Sequence, residues 1–416
     1  MVDAILYALI GITAADFLFD KWLDFLNDQA KSPIMPKEAE GIYDEERYAK
    51  WLAYDKANGR LGMVSSSVSI LLSLALLIFG VFGWLDSFLR QWTEQPVVIG
   101  LVYFGVLGLG SSIISLPFSV YGTFVIEERF GFNKTTVKTF VLDMLKGSAL
   151  GLLIGVPLGA LIIWLYYTLG DYFWLAAWAV MSVFSIFMTM FAATWIMPIF
   201  NKFTPLEDGD LRTAIEAYCK KVGFKLDRLF VMDGSKRSAK SNAFFSGLGP
   251  KKTIALYDTL IEQMETGEIV AVLAHEIGHY KKQHTRQSLV LSVLQSGLML
   301  FLLGLFLRMP AFSMALGAAE GSFHVGIIAF GIIFSPISTV IGIAMNALSR
   351  KNEFEADAYA RDTYGGQPLA SGLKKLTAEN LGNLKPHPYY VFVHYSHPPV
   401  LERLEKLQLS YVIESS

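Results

Sequence analysis

Residues 95–126 read QPVVIGLVYFGVLGLGSSIISLPFSVYGTFVI, 32 positions without one Asp, Glu, Lys or Arg. A helix needs roughly 20 apolar residues to cross a hydrocarbon core of about 30 Å. Inside lipid the backbone has to satisfy its own polar groups, so an apolar stretch of this length folds as a helix. Five further stretches are equally free of charge: 61–85, 147–170, 172–201, 287–307 and 321–349. The six together hold 161 of the 416 residues, so apolar helix dominates the chain. Composition agrees: 17% of residues are charged and 53% hydrophobic, where an ordinary soluble domain carries about 25% charge. Mean hydropathy is +0.42. These figures exclude a soluble globule and specify a polytopic α-helical membrane protein.

A seventh span is read over 3–20. Its charge-free part, 4–15, lies between Asp3 and Asp16, and apolar character resumes through Phe17, Leu18 and Phe19. With no basic residue ahead of it, the segment lacks the layout of a cleaved signal peptide. It reads as a span in which Asp16 faces protein or water rather than lipid. Basic residues then orient the bundle. Segments 21–60, 127–146, 202–286 and 350–416 hold 33 of the 35 Lys and Arg, and the intervening turns hold only Arg90 and Arg308. Basic connections stay cytoplasmic, which places these four segments in the cytoplasm and the N-terminus outside, an alternation that seven spans satisfy. A net charge of −2 gives no basis for nucleic-acid binding. The single cysteine, Cys219, excludes an intramolecular disulfide and a cysteine-rich metal site.

Four sections follow: 1–201 with spans 1–5 and cytoplasmic loops 21–60 and 127–146, a cytoplasmic segment 202–286, 287–349 with spans 6 and 7, and a C-terminal segment 350–416. Within 202–286, residues 209–222 have helical apolar spacing and stop at Gly223. Residues 228–233, 242–246 and 252–257 read as short strands, and Thr266 as the N-cap of a helix over 267–284. A small α/β unit is thereby set between two spans.

That last helix contains His275-Glu276-Ile277-Gly278-His279. At about 100° per residue the two histidines lie about 40° apart and reach one ion, while Glu276 is displaced enough to address a water bound to it. Zinc suits such a site: two imidazoles and one carboxylate leave a fourth position for water, whose pKa the ion brings towards about 7. Against a chance match on a surface helix stands the apolar run Ala271-Val272-Leu273-Ala274 just before it, since buried ionisable groups need a reason. His284 lies about 900° beyond His275 on a continuous helix, on the opposite face, and Thr285 stands where a third histidine of the metzincin spacing would be. The better third ligand follows the last span, in Asn352-Glu353-Phe354-Glu355-Ala356-Asp357. Glu353 and Asp357 share one helical face, Glu353 to ligate and Asp357 to accept the free N–H of a ligating histidine, with Glu355 turned elsewhere. An acidic solvated helix is the competing reading of this cluster, and spacing alone does not decide between them.

The chain resembles the type I CAAX prenyl proteases, integral-membrane zinc endopeptidases of the gluzincin group, along nearly its whole length. The resemblance rests on YGTFVIEERFGFNK at 121–134, IMPIFNKFTPL at 196–206, SNAFF at 241–245, HEIGH at 275–279, Glu353 to Asp357, and YSHPP at 395–399 with Arg403. It implies seven transmembrane helices around a water-filled chamber, capped by a zincin-like α/β catalytic domain built from 202–286 and 350–416. Ser65, Ser66, Ser67 and Ser69 in an otherwise apolar span suit such a chamber. It also implies one zinc ion per chain on His275, His279 and Glu353, with Glu276 as general base and Asp357 as a supporting or proton-donating acid. His397 and Arg403 would stabilise the oxyanion, and Asn242 and Ala243 would lie on an edge strand that pairs with the substrate backbone. Read without the resemblance, His397 caps a helix over 399–408, Arg403 pairs with Glu402 or Glu405, Asn242 is a turn residue, and Glu127, Glu128 and Arg129 are an interfacial charge cluster. His284, His324, His387 and His394 read as structural or surface residues.

The expected function is therefore hydrolysis of peptide bonds near the C-terminus of a lipidated or membrane-associated substrate; the family's reaction removes the last three residues after a prenylated cysteine. A quality-control protease for misfolded or stalled membrane proteins is the alternative within the class. A metal-dependent scaffold or transporter is the alternative outside it, opposed by Glu276, which binding alone does not need. The expected partners are a peptide or protein substrate and the bilayer, with no nucleic acid and a monomeric chain. A short turn at 309–320 and a C-terminus, Ile413 to Ser416, without a retrieval signal point to a bacterial inner membrane over the endoplasmic reticulum.

Overall fold

The computed structural model describes residues 1–246 and 252–413. Among them, six helical stretches are long and apolar enough to cross a membrane: Val2–Gln29, Glu45–Ile78, Pro96–Glu127, Val137–Phe200, His284–Phe306 and Phe323–Thr363. All seven stretches read from the sequence fall within or overlap these six. The numbers differ because Val137–Phe200 carries two of them, 147–170 and 172–201. Gly170, with φ of +51°, and a tight turn over Gly170–Tyr172 divide it into Val137–Leu169 and Phe173–Trp195.

Several helices outrun their apolar parts. Glu45–Ile78 begins in a polar segment, where Asp44 caps it by accepting from the Arg47 N–H. Phe323–Thr363 continues for 41 residues, about 60 Å at 1.5 Å per residue. Residues 350–363 are thus a rigid extension of the last apolar stretch, so the membrane helix itself carries Glu353 and Asp357 to the metal group described below.

Buried residues gather in two clusters, one at each end of the bundle. One includes Trp51, Ile126, Ile215, Leu256, Val270 and Leu273, and the other Leu77, Tyr103, Ile163, Phe173, Leu303 and Phe323. Between them no residue is buried over 52–76, 104–125, 133–162, 178–205 or 335–351. The far cluster closes through Gly83, where an added Cβ would sit 1.9 Å from the Gly317 carbonyl carbon. It also buries a polar group: His324 Nε2 lies 2.5 Å from Asp86 Oδ1, the Ser322 hydroxyl donates to Asp86 at 3.1 Å, and Arg90 Nε donates to its other oxygen at 3.0 Å.

At the motif end, four strands form one sheet in the order β1 (Phe203–Pro205), β2 (Arg228–Met232), β4 (Thr253–Tyr257), β3 (Ala243–Ser246). β2 and β4 are parallel, and β1 and β3 flank them antiparallel. β1 is too short for its sequence to announce. The helix Asp210–Lys221 stops as expected at Gly223, whose φ is +60°, and the following N–H of Phe224 reaches back to the Cys219 carbonyl at 2.8 Å. The motif helix spans Thr266–Lys281. Its N-cap is Glu265 rather than Thr266, because Glu265 and Glu268 complete a reciprocal capping box that a threonine at 266 cannot make. The helix also ends three residues early, with Gln283 at φ +62° before a new helix, His284–Phe306.

Candidate active site

The motif helix is buried on nearly every face from Glu268 to Gly278. Gly278 sets how close it comes to the long helix: a Cβ there would stand 3.2 Å from the Ala356 Cα and carbonyl oxygen. That approach brings the i, i+4 histidines onto Glu353. His275 Nε2 and His279 Nε2 are 3.1 Å apart, Glu353 Oε1 lies 3.2 Å from the second and Oε2 3.4 Å from the first. Three ligand atoms from His275, His279 and Glu353 lie within 4.8 Å of one another. Glu353 is 4% exposed, and its Oε2 accepts no hydrogen bond. Leaving a buried carboxylate oxygen without a hydrogen bond is costly, and this one meets His275 Nε2 at 3.4 Å and Arg403 Nη1 at 3.5 Å while Oε1 faces His279. The residues therefore fit a metal ion, and two imidazoles with one carboxylate suit zinc.

A second layer fixes the first. Asp357, one turn beyond Glu353, accepts from His275 Nδ1 at 2.8 Å, which leaves Nε2 to face the metal position. Arg403 grips the same carboxylate with two bonds, Nε to Oδ2 at 2.8 Å and Nη2 to Oδ1 at 2.6 Å, and its Nη1 lies 3.5 Å from Glu353. The arginine therefore pairs with Asp357 and not with Glu402 or Glu405. Burial alone would lower the pKa of His275, but the Asp357 and Glu353 carboxylates outweigh it and push the imidazole up to about 9. His397 approaches from the solvent side, with its side chain 65% exposed and Nε2 3.3 Å from Glu353 Oε1. Glu276 is half-buried, and among the described residues no hydrogen bond or ion pair holds its carboxylate.

Asn242 and Ala243 stand elsewhere, where β3 begins at the edge of the sheet. The Asn242 carbonyl accepts from Tyr257, its side chain is turned to the N–H of Ala243 at 2.9 Å, and among the described residues neither residue bonds to the metal group. His284 is the residue that the sequence concealed. Its Nδ1 is 3.0 Å from His279 Nδ1, and its Nε2 is 3.2 Å from Glu355. Helical arithmetic sends His284 to the wrong face because it assumes an unbroken helix. The break at Gln283 folds it back behind His279, and glutamine is not a residue that advertises a left-handed turn.

Two family descriptions match the chain: "CAAX prenyl protease N-terminal, five membrane helices" over residues 25–202, and "Peptidase family M48" over 205–410. The chain belongs to peptidase family M48. It is 36% identical to "CAAX prenyl protease 1 homolog" of Arabidopsis thaliana over 408 residues, covering 96% of each chain. It is 35% identical to "CAAX prenyl protease 1" of Saccharomyces cerevisiae, covering 97% of this chain and 95% of the other. The crystal structure of S. mikatae Ste24p superposes with a TM-score of 0.92 at 33% identity, covering 97% of this chain and 99% of that one. A membrane-embedded metalloendopeptidase of the M48 family thus carries the His275, His279 and Glu353 group where one long apolar helix leaves the bundle.

Proposed function

We propose that the protein is a zinc endopeptidase that cleaves near the C-terminus of CAAX-type, lipidated substrates, with its site on the cytoplasmic side of the membrane. The observation that carries this reading is the convergence of ligand atoms from His275, His279 and Glu353 to within 4.8 Å of one another. His275, His279 and Glu353 hold one zinc ion, which when bound lowers the pKa of water and polarises the scissile carbonyl. Glu276, whose carboxylate is uncommitted, takes the proton from the attacking water and delivers it to the leaving amine. His397, exposed and beside Glu353, donates to the oxyanion. Arg403 spends its fork on Asp357, so we assign it and Asp357 to positioning His275. The open edge of β3, beginning at Asn242 and Ala243, accepts the substrate as an added strand.

Counting Val137–Leu169 and Phe173–Trp195 separately turns the six apolar helical stretches into seven spans, a reading supported by the turn at Gly170 that divides them. Segments 202–286 and 350–416 form one catalytic cap, supported by the shared core that joins them. A water-filled chamber is supported by the two buried clusters with unburied helix between them, since a solid bundle buries residues along its whole length. The distribution of Lys and Arg supports the cytoplasmic side. The short turn at 309–320 favours a bacterial inner membrane, and the eukaryotic sources of the relatives named above favour the endoplasmic reticulum; fractionation of the producing cells decides between them.

The test compares three substrates with purified protein in liposomes: a farnesylated CAAX peptide, its unlipidated twin and an unfolded membrane protein. Preferential turnover of the farnesylated peptide supports the proposal. Equal turnover of both peptides overturns lipid-directed specificity, and preference for the unfolded protein selects the quality-control role instead. Stoichiometric metal with no cleavage of any of the three would favour the scaffold or transporter reading.

A further inference from the structure

The helix His284–Phe306 and the long helix Phe323–Thr363 leave between them, at the motif end, a groove of about 520 Å³. It lies where both apolar stretches meet their charged flanks, at 286/287 and 349/350. Its apolar lining is Val290, Leu291 and Leu348, set beside the polar Gln283, Gln287 and Asn352. Its rim carries three exposed cations, Lys282, Arg286 and Lys351. One carboxylate shares the rim, Glu355, already engaged by His284 at 3.2 Å and by Lys351 at 3.7 Å. Lys282 and Arg286 have no ion-pair partner among the described residues. The result is a positive rim above an apolar slot at a membrane boundary.

We propose that this groove binds one anionic phospholipid, its phosphate among Lys282, Arg286 and Lys351 and an acyl chain along Val290, Leu291 and Leu348. A free anion would satisfy the rim and leave the slot exposed, and a neutral lipid would fill the slot and leave Lys282 and Arg286 unpaired. Only a ligand with both parts answers both surfaces. The position gives such a lipid a task. Asn352 Nδ2 reaches across the seam to Gln287 Oε1 at 3.4 Å, next to the ligand Glu353, and His284 at the same seam touches the ligand His279. A lipid in the groove therefore braces the helix that carries Glu353 against the helix whose first residue, His284, contacts His279.

The experiment uses the full-length protein reconstituted from equimolar phosphatidylcholine and phosphatidylglycerol vesicles, with lipids retained after purification counted by native mass spectrometry. One phosphatidylglycerol per chain is expected to persist. Neutralising the rim, as Lys282→Gln, Arg286→Gln and Lys351→Gln, is expected to weaken retention about fivefold for each charge. Val290→Trp, which keeps every charge and fills the slot, is expected to expel the lipid as well. Inorganic phosphate or glycerol phosphate in excess is expected to leave it in place. Equal retention of the two phospholipids by the unaltered protein overturns the proposal without recourse to any variant. Displacement by inorganic phosphate, or undiminished retention in the triple variant, overturns it too.

Discussion

Both ends of the bundle bury a histidine against an aspartate, His275 on Asp357 at the motif end and His324 on Asp86 at the far end, and each aspartate is also held by an arginine. The far group closes on itself. Asp86 receives Arg90, Ser322 and His324, so both of its carboxylate oxygens are occupied. The motif group does not close: beyond Asp357 it has Glu353, whose Oε2 accepts no hydrogen bond and meets His275 and Arg403 only at 3.4 and 3.5 Å, and Glu276, whose carboxylate has no hydrogen bond or ion pair among the described residues. A satisfied buried network fixes the fold around it. One that brings two imidazole nitrogens and a carboxylate within 4.8 Å of one another fits a metal ion, and that distinguishes the two ends.

The comparison breaks if the ends respond alike to losing an acid. Glu353→Ala is expected to reduce metal affinity by more than the roughly 10–100-fold typical of an outer-layer change, read by competition with a chelator. Asp86→Asn is expected to leave metal affinity unchanged while lowering thermal stability. Asp357→Asn should fall between them, with affinity down about 10–100-fold, because the histidine keeps its place and loses only its orienting acceptor.

The motif end should also answer to pH in a way that identifies its histidine. His275 is raised from 6.5 to about 9 without metal. Its protonation therefore stabilises the metal-free protein fully below about pH 6.5, and that contribution fades as pH rises through about 9. Metal has to displace this proton. Affinity is expected to rise by up to about tenfold per pH unit between 6.5 and 9 and to level off above, with protons released on binding, as isothermal titration in buffers of different ionisation heat would record. A flat profile over that range would show that the proton is not held there.

The smallest effects sharpen the contrast between the two close approaches. Gly83→Ala forces backbone against Gly317 and is expected to lower stability by about 1–3 kcal/mol, with no change in metal affinity. Gly278→Ala meets Ala356 at 3.2 Å, and is expected to cost less stability while weakening metal binding by separating the motif helix from Glu353. Thermal melts with and without metal distinguish the two.

Much of this was legible in order of residue number. Charge-free runs marked the helices, since lipid leaves no other option to a long apolar stretch, and i, i+4 spacing marked His275 and His279. What escaped lay where local rules are silent. That the apolar stretch 321–349 and the acids at 353 and 357 form one helix is not visible in either segment alone, because nothing between them needs to break. Glu265 displaced Thr266 as the cap because the capping box is a pairwise property of Glu265 and Glu268. His284 was assigned the wrong face because a left-handed glutamine interrupts the helix. The resemblance brought Arg403 to the site, but its pairing with Asp357, 46 positions away, escaped, and the residues alone offered only Glu402 or Glu405 as partners.

Glu276 is proposed to move the proton in a metal-dependent hydrolysis. Bound metal and turnover of a farnesylated CAAX peptide, measured on the same preparation of Glu276→Gln, test it most directly. One metal ion per chain is expected, as in the unaltered protein, with turnover reduced by about 10²–10⁴-fold; near-normal turnover by the metal-loaded variant would contradict this role for Glu276.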